Sequence, residues 1–243
     1  MRVFVALALI AATMAFACGG GFFRQYEYEE EMYLSLDGTA TVYVNASTAA
    51  LNTLRGASFD PNPNAVVDRA KVRDFFSSPV TRVNGSVKFS RRNNRRYVHV
   101  RLDVDDVTRL GDAKPFAWSS YRFYREDNLY LYRQTVGAAA RKDAGDAGWS
   151  GRELVAFRLH LPSKIAYHNA GPDNLKRGNI LVWEQTLAER ARGVPLTLDA
   201  RMETRSILYR TLWLFGATFL AVALMFAVVI WWVLRHGRKS AEP

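Results

Sequence analysis

Residues 32–44 read MYLSLDGTATVYV, and this stretch decides the fold. Apolar side chains alternate with other residues on both sides of Asp37-Gly38, at Met32, Leu34, Leu36, Ala40, Val42 and Val44. Such alternation is typical of strands with one buried face, because successive side chains of a strand point to opposite faces of its sheet. Asp-Gly is a strong signal for a tight hairpin turn. The stretch therefore predicts an antiparallel β-hairpin.

The same alternation recurs along residues 26–205, in segments separated by turn residues. Further strands are predicted over residues 80–90, 98–104, 121–125, 129–136, 155–161, 180–187 and 196–202. Asn93-Asn94 and residues 126–128 supply the turns of two more hairpins.

Short helices are predicted between these strands. One covers Ser47–Arg55 and stops at Gly56, a second is capped by Asp68, and Asp105 caps a shorter turn. Residues 137–151 are rich in Gly and Ala and predict a long mobile loop. We therefore expect an α+β domain, in which short helices pack on one face of an antiparallel, hairpin-rich sheet.

Residues 1–17 have the features of a secretory signal peptide. The uncharged stretch 3–17 is too short to cross a hydrocarbon core of ~30 Å as a helix that rises ~1.5 Å per residue. Small residues at Ala15 and Ala17 precede the expected cleavage point. The domain of residues 26–205 is therefore expected outside the cytoplasm.

Cys18 is the only cysteine of the chain and follows this segment directly. Its position resembles a bacterial lipoprotein box, which predicts lipidation of Cys18 and a tether over residues 18–25. Ala15 stands three residues before the cysteine, where Leu is usual. Ordinary signal-peptide cleavage after Ala17, which leaves a free thiol, is the alternative.

Residues 211–234 carry no charge and predict a transmembrane helix about 36 Å long at ~1.5 Å per residue. Trp213 lies near one end, and Trp231 and Trp232 lie near the other, as in an aromatic belt. If the N-terminus is exported, a single span leaves residues 235–243 in the cytoplasm.

The composition, with 49% hydrophobic and 23% charged residues, excludes a mostly disordered or collagen-like chain. The formal net charge of +10 raises the question of anionic partners. Since export is expected, we expect a membrane partner, anionic lipid or envelope glycolipid, and no nucleic acid. No protein partner can be read from the sequence.

No sequence pattern predicts a catalytic, metal or cofactor site. The four histidines, His99, His160, His168 and His236, lack metal-binding spacing and are interpreted as solvated imidazoles, with His168 in a loop. Residues 148–151 begin like a nucleophile elbow but lack its final Gly. We therefore expect a non-enzymatic protein without a cofactor. The alternative is an exported hydrolase, which requires a pocket that brings His99, His160 or His168 beside a carboxylate and a nucleophile.

Four arginines surround the predicted Asn93-Asn94 turn, at Arg91, Arg92, Arg95 and Arg96. We expect this hairpin tip to project into solvent, because four neighbouring guanidinium groups oppose burial. It is either a contact for anionic lipid phosphates or a solvated tip. Glu30, by contrast, shares the apolar face of its strand with Met32 and needs a buried partner or an edge position.

Residues 162–171 read PSKIAYHNAG and residues 178–183 read GNILVW. The two stretches are similar to the part of the LppM-type domain where a strand, an Asn/Gly turn and a Val-Trp strand follow one another. Together with Cys18 and the Asp37-Gly38 hairpin, these stretches resemble the LppM-type lipoproteins of bacterial envelopes over residues 18–234. The resemblance implies an envelope protein that contacts lipids or glycolipids, and it carries over no catalytic residue. We therefore expect a membrane-anchored extracytoplasmic envelope protein that acts as an interaction or lipid-contacting module.

Overall fold

The computed structural model describes residues 24–140 and 147–237. These residues form a mixed α+β fold, rich in sheet, with short helices and a long apolar helix at the C-terminal side. The strands are β1 (Tyr26–Leu34), β2 (Ala40–Ser47), β3 (Thr81–Val83), β4 (Lys88–Arg92), β5 (Arg95–Val104), β6 (Ser119–Glu126), β7 (Leu129–Val136), β8 (Leu154–His160), β9 (Ser163–His168), β10 (Leu175–Lys176), β11 (Ile180–Thr186) and β12 (Leu196–Ser206). The helices are α1 (Thr48–Arg55), α2 (Arg69–Phe76), α3 (Leu187–Arg192) and α4 (Ile207–Gly237), and short 3-10 turns cover Val107–Asp112, Lys114–Phe116 and Pro172–Asn174. The predicted signal peptide and Cys18 lie outside the described residues.

The strands form two sheets rather than one. The larger has the order β10-β11-β8-β1-β2-β5-β3, with β4 also paired to β5, and the smaller has the order β6-β7-β12-β9. Strands β1 and β8 run parallel, so the expectation of a wholly antiparallel sheet is wrong at this pair. The long connection over residues 137–153 returns the chain to the start of β1, where the Leu154 N–H donates to the Gln25 carbonyl at 2.8 Å. The two parallel strands are separated by residues 35–153, which include β2 to β7, and a tight hairpin turn could not join such a pair.

The predicted hairpins are confirmed, and their turns have the expected backbone. In the first turn, the Ser35 N–H donates to the Thr39 carbonyl at 2.9 Å, and Gly38 has a φ of 86°. In the turn between β4 and β5, Asn93 and Asn94 have φ values of 49° and 57°. Positive φ at both central residues is the geometry of a type I′ turn, whose twist matches that of the flanking strands.

The predicted caps of the first two helices are also confirmed. Ser47 accepts a hydrogen bond from the N–H three residues on at 3.0 Å, and Asp68 accepts one from the N–H two residues on at 2.8 Å. The third prediction is wrong by one residue. Asp106 caps the turn that follows β5, because its carboxylate accepts a hydrogen bond from the Thr108 N–H at 2.9 Å, whereas the Asp105 carboxylate pairs with the Arg82 guanidinium at 2.9 Å.

Helix α3 and the two-residue strand β10 were not predicted, and β9 lies in the stretch 162–171, where the resemblance implied a strand. His168, expected in a loop, is the last residue of β9. Helix α3 begins with a capping box, in which the Thr186 hydroxyl accepts from the Glu189 N–H at 3.2 Å and the Glu189 carboxylate accepts from the Thr186 N–H at 3.0 Å. Thr-x-x-Glu is a readable signal for a helix start, so this helix could have been found from the sequence.

The core lies between the inner face of the larger sheet and a layer made by α1 and the smaller sheet. Helix α1 is buried at every position and packs on β1, β2 and β5. One hydrophobic cluster includes Met32 and Leu159 of the larger sheet and Tyr132 and Met202 of the smaller one. The buried members of this cluster lie between Tyr28 and Met202, so α4 contributes nothing to the core.

The strand directions place two features at opposite ends of the domain. At one end, Ser206 at the close of β12 pairs with Ser163, three residues after the end of β8, and α4 begins there. At the other end, β1 begins, and Tyr97 near the start of β5 pairs with Ser47 at the close of β2. We call these the helix end and the hairpin end. Strand β5 has 10 residues, so the two ends are separated by about 30 Å at ~3.3 Å per residue.

Candidate functional site

Helix α4 is an exposed apolar surface. Its segment Ile207–His236 is long and apolar enough to cross a membrane, has a mean hydropathy of 2.5, and is not buried against the domain. The helix follows β12 without a linker, and the Ile207 N–H donates to the Pro162 carbonyl at 2.9 Å. An apolar surface of this extent marks contact with a membrane or another protein.

Basic side chains lie around the helix end of the domain. Lys164, Lys176, Arg177 and Arg205 are all exposed there. Lys164 lies 3.9 Å from the Glu203 carboxylate, and the Lys176 ammonium group donates to the carbonyl of residue 173. The surface next to the start of α4 is therefore rich in positive charge.

The predicted arginine hairpin forms the opposite end of the domain. Arg91 and Arg92 are exposed, and Arg96 is half-buried. Arg91 donates to the Asn94 side chain at 2.6 Å, the Arg92 guanidinium lies 4.8 Å from the centre of the Tyr97 ring, and Arg96 donates to a backbone carbonyl at 3.2 Å. These contacts are with uncharged groups and leave the positive charge of the tip in place.

Arg95 does not share this exposure, so the expectation that all four guanidinium groups project into solvent is wrong for it. Its side chain is 10% exposed and donates to Glu27 at 2.8 Å, and a second nitrogen lies 3.5 Å from the Glu153 carboxylate. The Arg95 Nε atom also donates to the Ala147 carbonyl at 2.7 Å. Two carboxylates and a covering segment thus offset the cost of burying this charge.

The carboxylates of Glu27 and Glu153 accept hydrogen bonds from several further donors. Glu27 accepts from the Tyr97 hydroxyl at 2.7 Å and from the Trp149 ring N–H at 3.2 Å. Burial raises the pKa of Glu153, but hydrogen bonds from the backbone N–H groups of residues 150 and 151 and from the Ser150 hydroxyl outweigh it and lower that pKa. The described residues 147–151 of the predicted mobile loop are therefore fixed against the domain.

A second buried ion pair joins Glu30 to Arg55, whose side chains are 2% and 1% exposed. The Tyr28 hydroxyl donates to Glu30 at 2.8 Å, and Gln134 of the smaller sheet donates to it at 3.1 Å. The Arg55 guanidinium lies 3.6 Å from the centre of the Trp118 ring. Glu30 thus has the buried partner that the sequence required, and the pair joins α1 to both sheets.

The histidines differ in their surroundings. His160 lies 2.6 Å from the Glu31 carboxylate and stacks on Tyr33, and His168 contacts the backbone carbonyl of Ala170 at 3.0 Å. The hydrogen bond from His160 lowers the pKa of Glu31. Among residues 24–140 and 147–237, no three His, Cys, Asp or Glu side chains come together as metal ligands.

His99 lies between a hydroxyl and an amide on the outer face of the larger sheet. The Ser90 Oγ atom is 2.7 Å from His99 Nε2, and the Asn45 Oδ1 atom is 2.9 Å from His99 Nδ1. Ser90 lies on β4, His99 on β5 and Asn45 on β2, and β5 pairs with both of the other strands. The structure therefore provides a histidine beside a nucleophile, with an amide where the predicted hydrolase site required a carboxylate.

The fold defines a sheet-rich mixed α+β protein with a long exposed apolar helix. Among solved structures, the NMR structure of the folded domain of LppM from Mycobacterium tuberculosis is similar to this chain, with 13% sequence identity, coverage of 77% of this chain and 98% of that chain, and a TM-score of 0.41. This agrees with the resemblance to LppM-type domains that the sequence indicated. No family model matches the chain, and no curated protein matches it.

Proposed function

We propose that the chain is a single-pass membrane protein of the cell envelope, whose extracytoplasmic domain contacts anionic lipid headgroups. The observation that carries the proposal is the apolar, unburied segment Ile207–His236 directly after the last strand. The domain of residues 26–205 precedes this segment, and the predicted signal peptide at residues 1–17 sets its orientation, with the domain outside the cytoplasm. The tail over residues 235–243 is then cytoplasmic.

The basic residues at the helix end fit this orientation. They lie where the domain meets the bilayer, and basic residues near an anionic membrane surface contribute about 1 kcal/mol each. Because α4 begins at the residue that follows β12, the helix end of the domain stays at the lipid headgroups.

A lipid anchor at Cys18 adds a second constraint. The tether joins the domain at the hairpin end, where β1 begins, and the six residue steps from Cys18 to Arg24 extend at most about 20 Å at ~3.3–3.6 Å per residue. That is shorter than the separation of about 30 Å between the two ends of the domain, derived from the rise of ~3.3 Å per strand residue. Two anchors in one bilayer therefore exclude an upright domain and tilt the hairpin end, with Arg91 and Arg92, to within about 20 Å of the bilayer at ~3.3–3.6 Å per tether residue.

The two anchors are tested by fractionating cells that express four forms: the full chain, Cys18→Ser, a chain ending at Ser206, and both changes together. We expect the first three to resist extraction from membranes by carbonate and the last to be soluble. A reporter fused after Pro243 should be active only in the cytoplasm, and Cys18→Ser should abolish incorporation of labelled palmitate. Release of the chain ending at Ser206 would show that Cys18 is not an anchor, and release of Cys18→Ser would show that α4 does not span.

The lipid contact is tested on residues 19–206, since the core cluster lies within this range. We expect binding to phosphatidylglycerol vesicles to weaken about 30-fold in Arg91→Gln/Arg92→Gln, because two residues at ~1 kcal/mol each amount to that factor. Lys71→Gln/Arg122→Gln removes the same charge at exposed positions outside the two hairpin strands and serves as the control. Equal binding by both double variants would contradict a role for the hairpin.

A further inference from the structure

The side chains of Ser90, His99 and Asn45 are arranged in the order nucleophile, base and orienting group. The Asn45 Oδ1 atom can only accept a hydrogen bond, so the His99 Nδ1 atom, at 2.9 Å, must carry the proton that it receives. The Nε2 atom is then the acceptor, and the Ser90 hydroxyl at 2.7 Å donates to it. This is the tautomer that a general base needs in order to take a proton from a serine.

The surroundings of His99 favour its neutral form. Its ring is half-buried, and burial, followed by the positive charges of Arg92 and Lys88, lowers its pKa, while Glu29 acts in the opposite direction. A neutral imidazole at neutral pH can accept the hydroxyl proton.

A cleft on the outer face of the sheet reaches His99 and Asn45 from solvent. It has a volume of about 430 Å³, and His99, Asn45, Tyr43, Lys88 and Arg101 are among its lining residues. Ser90 is partly exposed and lies two residues along β4 from Lys88. The lysine and arginine give the cleft beside His99 a positive potential, which fits a substrate with an anionic group.

We propose that Ser90, His99 and Asn45 form an acyl-transfer site that hydrolyses an ester bearing an anionic group. Ser90 is the nucleophile, His99 is the general base and acid, and Asn45 is the positioning residue that holds the imidazole. This inference goes beyond the membrane-contact role proposed above and is independent of it.

The step balances without a cofactor. The Ser90 Oγ atom forms a bond to the ester carbonyl carbon as its proton passes to His99 Nε2, and the carbonyl π electrons move to the oxygen. Collapse of this intermediate breaks the bond to the alkoxy group, which leaves with the proton from His99. Water then attacks the acyl-serine in the same way, with His99 taking its proton, and releases the acid and Ser90.

The test uses the full chain in detergent micelles and a fluorophosphonate probe, which reacts with activated serines, with the labelled residue identified by mass spectrometry. We expect Ser90 to be labelled, and His99→Gln to slow the labelling at least about 100-fold, since a general base contributes ~10²–10⁴-fold. Asn45→Asp should retain labelling, because a carboxylate accepts the same proton from Nδ1. Ser120→Ala, at an exposed serine of β6, is the matched control and should label like the wild type.

Two outcomes would overturn the proposal. One is a wild-type chain that is not labelled at Ser90. The other is labelling of Ser90 at the same rate in the wild type and in His99→Gln, which would show a serine without a base. A His99→Gln chain that fails to fold is replaced in the comparison by Asn45→Leu, which removes the hydrogen-bond acceptor for Nδ1 and should slow labelling while Asn45→Asp does not.

Discussion

Arg95→Gln should destabilise the domain strongly, whereas the same substitution at the exposed Arg91 should not. Glu27 is fully buried, and Arg95 is the cation that pairs with it at 2.8 Å. Glutamine cannot replace this charge, so the substitution leaves a buried carboxylate without its counterion. Breaking a buried pair in this way costs about 3–5 kcal/mol.

The expected shift in the thermal midpoint follows from the size of the domain. At ~2–4 °C per kcal/mol for domains of 150–250 residues, the loss corresponds to a midpoint lower by roughly 6–20 °C. Arg91→Gln, at an exposed position four residues away, should change stability by no more than ~0.5 kcal/mol. The measurement is thermal unfolding of the full chain in detergent micelles, followed by tryptophan fluorescence.

Adding Glu27→Gln to Arg95→Gln should recover part of the loss, because it removes the unpaired buried charge. A midpoint for Arg95→Gln within ~2 °C of that of Arg91→Gln would refute the assignment of Arg95 to the interior, since a surface change of ~0.5 kcal/mol shifts the midpoint by no more than this.

Arg55→Met should lower the free energy of unfolding by about 3–5 kcal/mol, because it leaves the Glu30 carboxylate buried without its cation; urea unfolding measures this, and a loss below ~1 kcal/mol would count against it. The pKa of His99 is lowered in the folded state, so the unfolded chain binds the proton first as the pH falls. The stability that neutral His99 contributes is fully present above its pKa of ~6.5 in the unfolded chain. It is lost as the pH falls through the lower pKa of His99 in the folded chain. His99→Gln should therefore show a shallower loss of stability on acidification below about pH 6.5 than the wild type, and identical slopes would contradict this.

Local patterns in the sequence were sufficient to predict most of the secondary structure. The Asp37-Gly38 hairpin, the Ser47 cap of α1 and the apolar run within α4 depend on residues close together in the chain. Alternation, caps and turn residues act over a few positions, so their physical causes are visible in the sequence itself. The Thr186 capping box was equally visible and was missed.

The sequence also required a partner for Glu30, but only the structure identified it. Arg55 lies 25 residues away along the chain and reaches Glu30 because α1 packs back across β1. No local signal specifies such a pairing, because it depends on the angle and position at which the helix meets the sheet.

Tertiary structure alone separated Arg95 from Arg91 and Arg92, and brought Ser90 and His99 to Asn45. Strand alternation places Arg92 and Arg95 on one face and Arg91 and Arg96 on the other, but it does not show which of them is covered. The segment that covers Arg95 arrives from more than 50 positions away, and Asn45 is 54 positions from His99. Burial and side-chain contact depend on strand order, on register and on which segments cover each face of the sheet. These long-range relations are set by packing of the whole domain, whereas turns, caps and the apolar helix are set by neighbouring residues.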